Sequence, residues 1–203
     1  MIDSFNNFYL HNTSKSKSIK LSTDEELKNF HTALKNIQPL DLKIVPIETS
    51  IFKNIHEYKI ELYPDTLHKY DIDQYSDIVN KYLNKDWYKN IANIQIEPRN
   101  ANRIHIDNIN GILLGVGLGY KSYKAMINQL KYISSKNDAT ISAKKLWNYL
   151  LNDEKLYAAV TLDRVIVIDK QLTTKDINKI LKTIKKQVKQ TIVYDPQLRT
   201  LLS

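Results

Sequence analysis

Residues 115–122 read Gly-Val-Gly-Leu-Gly-Tyr-Lys-Ser, a lysine and a hydroxyl placed directly behind three closely spaced glycines. In that order, glycine amides can cradle a phosphate, a lysine can neutralise it and a serine can ligate magnesium. Gly117, Gly119, Lys121 and Ser122 are therefore candidate phosphate-binding residues. Asp169, which closes the apolar run Val165-Ile-Val-Ile, is the candidate acid for the metal. The pattern breaks at Tyr120: a Walker-type loop needs glycine just before the lysine, and a dinucleotide fingerprint starting at Gly115 needs glycine at the same place. A divergent nucleotide-dependent enzyme is the reading that these residues would support.

The second group is made of lysines. Across residues 175–190, Ile177, Ile180, Leu181, Ile184 and Val188 fall on one side of a helix, while Lys175, Lys179, Lys182, Lys186 and Lys189 fall opposite, with Lys185 beside them. Six lysines near a single Asp176 repel one another unless an anion compensates them. Phosphates of a nucleic acid would do so without sequence readout. The stripe has no aromatic side chain on which a single-stranded base would stack. An anionic membrane surface would want a Trp or Phe anchor that the apolar side lacks.

Other chemistry is thin. His105 and Asp107 alternate on one strand face, two ligands without a third, so no metal is expected. The chain has no cysteine, which removes disulfides, thiolate sites and cysteine nucleophiles. Hydrolase elbows, zinc-binding His-Glu-x-x-His helices and calcium loops are absent from the sequence. No cofactor is implied.

The elements that must position these groups follow from periodicity. Thr23-Asp24-Glu25-Glu26 is a capping box that opens a helix through Leu27, Phe30, Leu34 and Ile37, closed by Pro39. Strands are expected at 42–46 and 55–63, with Pro46 marking an edge. A helix over about 72–84 and a turn around Trp87 precede a hairpin of residues 94–96 and 103–107. All four glycines of the 203 residues lie within 111–119. Gly111, Gly115 and Gly119 are four apart, which on a helix puts them on one face for close packing. Four interior glycines would cost one continuous helix about 3–4 kcal/mol. The expectation is a helix-turn-helix packing joint at 111–119, with a helix over 120–134 after it. Further expectations are a helix at 141–151, strands at 156–161 and 164–169 with the second central, the lysine-bearing helix, and a tail from Thr191.

These elements make an α+β fold, helix-majority, with short antiparallel strands and hairpins: a single compact domain over 23–203 behind a mobile or extended lead-in, residues 1–22. The formal charge of +8 is uneven: residues 101–203 hold 17 Lys+Arg against 8 Asp+Glu, whereas residues 1–100 nearly balance. That asymmetry points to an anionic partner for the C-terminal half. Neither a signal peptide nor a stretch long enough to cross a bilayer is read, so the chain is expected to be soluble, cytoplasmic in the first instance and, in the alternative, exported after loss of its signal. The function expected is binding rather than catalysis, through the basic half, with a protein as the favoured partner and nucleic acid as the alternative.

Overall fold

Phe30 and Leu34 recur at helical spacing because they share one buried face of helix α1, Asp24–Asn36. The structure is a computed structural model that describes residues 24–47, 55–109, 113, 115–135 and 141–202. The lead-in expected over 1–22, the Thr23 cap and Gly111 lie outside these residues. After α1, a 3-10 turn at Pro39–Asp41 feeds β1, Leu42–Pro46, which pairs antiparallel with β2, His56–Leu62. Short helices α2, Asp65–Lys69, and α3, Ser76–Tyr82, lead to the hairpin of β3, Ala92–Glu97, and β4, Arg103–Ile109.

The chain then crosses over through α4, Leu118–Leu130, into β5, Tyr132–Ser134, which runs parallel to β4. Helix α5, Ile141–Leu151, precedes a second hairpin of β6, Leu156–Val160, and β7, Val165–Asp169. Helix α6, Thr174–Val188, strand β8, Val193–Tyr194, and helix α7, Pro196–Leu202, end the described chain. All eight strands form one mixed sheet in the order β1-β2-β3-β4-β5-β7-β6-β8.

The α+β class is as read from periodicity, and two details differ. The sheet is not purely antiparallel, because β4 and β5 pair in parallel. The glycine phrase joins a strand to a helix: Gly115 at φ 79° and Gly117 at φ 81° turn the chain out of the β4 segment into α4. Of the helix-turn-helix joint expected at 111–119, the described residues show a turn at 115–117 that opens α4, within a crossover that starts from β4 and not from a helix of its own length. A methyl group at Gly117 would touch only Lys121 Cε at 3.9 Å, an ordinary contact, so φ and not close packing demands glycine there.

The expected helix over 120–134 stops at Leu130, because Lys131 takes φ 73° and its N–H bonds back to Ile127 O. The tail expected after Thr191 holds β8 and α7.

Two apolar clusters flank the sheet. One face carries α1, α4 and α5 through Phe30, Met126, Ile127, Trp147 and Leu150. The other, over β5 to β8, carries α6 and α7 through Ile177, Leu181, Ile184 and Leu198. Strand β7 lies between them, with Val167 in the first cluster and Ile166 and Ile168 in the second. That is why this strand is apolar on both sides.

Candidate functional site

Helix α6 begins with an N-cap in which Thr173 Oγ1 accepts the Asp176 N–H at 3.2 Å, and it ends at Lys189, whose φ of 52° closes the last turn. Its buried residues Ile177, Leu181, Ile184 and Val188 are the apolar positions read from the sequence, each worth about 1.5–3 kcal/mol when covered. This burial fixes the rotation of the helix, so Lys175, Lys179, Lys182, Lys185, Lys186 and Lys189 are all exposed. From Lys175 to Lys189 the stripe runs about 21 Å, at 1.5 Å per residue.

Among the described residues none of these six lysines has a carboxylate partner. Elsewhere lysines do find one: Lys69 meets Asp41 at 2.8 Å and Lys124 meets Asp153 at 2.7 Å. Gln187, on the flank of α6, clamps the helix to the β3–β4 turn, accepting Ala101 N–H at 2.8 Å and donating to Pro98 O at 3.2 Å. Exposed Arg99 sits in that same turn. At the other flank, Lys185 Nζ stands 5.9 Å from the ring of Tyr194 in β8.

The phosphate-loop candidates are arranged otherwise. Lys121 Nζ donates to Lys35 O at 2.7 Å and to Leu34 O at 3.2 Å, capping the carbonyl end of α1. Burial pulls its amine down to about 8, against an upward pull from Asp41. Ser122 is fully buried, and its hydroxyl has no partner among the described residues. Gly119 lies within the first turn of α4.

Asp169 is at the far end of that helix: its N–H donates to Lys131 O at 3.0 Å, and its carboxylate accepts Gln171 N–H at 2.9 Å. Lys121 and Lys131 are separated by about 15 Å of helix. The structure thus does not bring Lys121 and Asp169 together.

His105 lies exposed on β4 opposite Gln95, and the side chain of Asp107 is outside the described residues. Among the described residues no three His, Asp or Glu side chains converge as for a metal. Two polar networks that sequence spacing did not reveal are structural ties. Asp41 accepts from Gln38 N, Lys69 Nζ and Tyr70 Oη at 2.7–2.8 Å. Its burial would raise its pKa, but those donors win and hold it below the usual carboxylate range. Asp153 does the same for Tyr120 and Lys124, tying α4 to the end of α5.

No helix among the described residues is long and apolar enough to cross a membrane. Compared with known proteins, the chain matches no family model and no curated sequence.

Proposed function

We propose that this chain is a binding protein without catalysis of its own, and that its contact surface is the lysine face of α6, presented to an acidic protein. One observation carries the reading. Six exposed lysines on a firmly anchored helix lack any carboxylate partner among the described residues, and an acidic partner would relieve their mutual repulsion. A single-stranded nucleic acid would meet the same charges, but the stripe offers no aromatic side chain for its bases to stack on, and a duplex would be held by its phosphates alone.

The test is titration with polyglutamate and with a short DNA duplex, at low and at physiological salt. Wild type binds polyglutamate, the affinity falls steeply with salt, and the triple change Lys179→Glu, Lys182→Glu, Lys186→Glu removes it. Failure of both polyanions to bind at low salt refutes the lysine face as a contact surface. Strong preference for the duplex moves the partner to nucleic acid.

A further inference from the structure

The two ends of the eight-stranded sheet are not alike. At the β1 end, Ile47 N–H bonds to Glu57 O and Tyr63 N–H to Asp41 O, so Leu42, Ile44 and Pro46 are the residues whose backbone groups point outward. Leu42 N–H is already spent on Pro39 O, and Pro46 has no N–H. That edge is blunted.

At the β8 end, Asp195 N–H bonds to Ala158 O, which makes Val160 and Val193 the bonded pair and turns Ile192 and Tyr194 outward. Neither of these two N–H groups has a partner among the described residues. The Tyr194 carbonyl is met only by the exposed guanidinium of Arg199, at a long 3.5 Å.

The side chains around this open edge differ on its two faces. Tyr194 packs toward α6 beside Ala159, and Lys185 stands over its ring, with Lys189 four residues before Val193. On the other face the paired Val193 and Val160 are 58% and 40% exposed. A strand laid along β8 would therefore meet Lys185 with one set of alternate side chains and the valines with the other.

We infer that β8 accepts an extended segment of a partner protein as a ninth strand, with acidic residues alternating with apolar ones. The inference rests on the reading of α6 as a surface for acidic protein, and it adds the mode of recognition. A second copy of this chain is the poorer occupant, because edge-to-edge pairing would bring the lysine-rich ends of two α6 helices together.

The test uses a labelled octapeptide of alternating valine and glutamate, a peptide of the same composition with its valines and glutamates in separate blocks, and a fully N-methylated form of the first. The alternating peptide is expected to bind about tenfold more tightly than either control. It should slow amide exchange at Ile192 and Tyr194. Val193→Thr, at an exposed position, should weaken binding of the octapeptide and leave polyglutamate binding as it was. Equal affinity for the three peptides, or tight binding without protection of those amides, overturns strand addition while the lysine face stands on its polyglutamate result. Absence of polyglutamate binding overturns both. Concentration-dependent dimers that protect the same amides without peptide give the edge to a second copy and overturn the acidic partner.

Discussion

Gln187 of α6 and Ala101 of the β3–β4 turn are 86 positions apart in the chain and joined at 2.8 Å, side-chain carbonyl to backbone N–H. Ala101 is fully buried and, with Asn102, sits in the left-handed region at φ 54° and 49°, a turn that alanine does not favour. The glutamine holds that turn from both sides, since its amide also donates to Pro98 O. Gln187→Ala leaves a buried N–H without a partner and is expected to cost about 2 kcal/mol, read from the urea midpoint. An unchanged midpoint would show that water replaces the amide there.

Lys121 gives a pH-dependent prediction. Its folded-state pKa of about 8 lies below the ordinary 10.5, so between these values the unfolded chain binds more protons than the folded one. Stability contributed by this group therefore rises with pH, beginning below pH 8. Comparing melting temperatures at pH 7 and pH 9, wild type should gain relative to Lys121→Met by about 1–2 kcal/mol. Parallel pH profiles for the two proteins would exclude a lowered lysine. Buried Tyr123 and Tyr132, both raised by burial, work in the opposite direction at higher pH, but they do so in both proteins alike and drop out of the comparison.

Lys131 closes α4 in a conformation that glycine adopts freely, and its side chain is exposed. Lys131→Gly should stabilise the fold by about 1 kcal/mol, seen as a raised urea midpoint without change of slope.

Gly117 shows the converse. Its φ of 81° is strained for any other residue, yet a methyl group would have room. Gly117→Ala should therefore cost only about 1–2 kcal/mol, and Gly117→Asn less, because asparagine tolerates the left-handed region. A larger loss on Gly117→Ala would mean a steric clash instead of backbone strain.

Reversal of Lys179, Lys182 and Lys186 to Glu should leave the thermal midpoint close to that of wild type, because relief of the lysine repulsion offsets the loss of Lys186 from the last turn of the helix. A variant that unfolds would give the stripe a structural role and remove the case for an external anion.

Strand β7 and the lysine stripe were legible in the sequence because each has a plain pattern: Val-Ile-Val-Ile is an unbroken apolar run, as a strand covered on both faces must be, and the lysines recur at 3.6. The hairpin of β3 and β4 was legible from Pro98 and the alternation around it. Strand β5 was not, because Ile133 happens to continue the helical phase of Tyr123, Met126 and Leu130, and a lysine at the left-handed position gives no warning of a break. The part played by Lys121 was equally hidden. Read locally it follows glycines, but its partners at Leu34 and Lys35 are brought to it only by tertiary packing. Strand β8 spans two residues, too short for any period to show.

Among the described residues strands β4 and β5 pair at one register, Arg103 opposite Ser134, and Asn102 ties the seam beside it, its O accepting Ser134 N–H at 3.2 Å and its Nδ2 donating to Tyr132 O at 3.1 Å. On either side of this seam the ladders are antiparallel, and hairpins of nearby residues make up β3–β4 and β6–β7. Folding can thus assemble two leaves quickly from local pairings, while the α4 crossover closes the larger loop last. The same seam is where the sheet should part first under mechanical load, so a pulling experiment across residues 103 and 134 would find the weakest line of the molecule in its middle instead of at its ends.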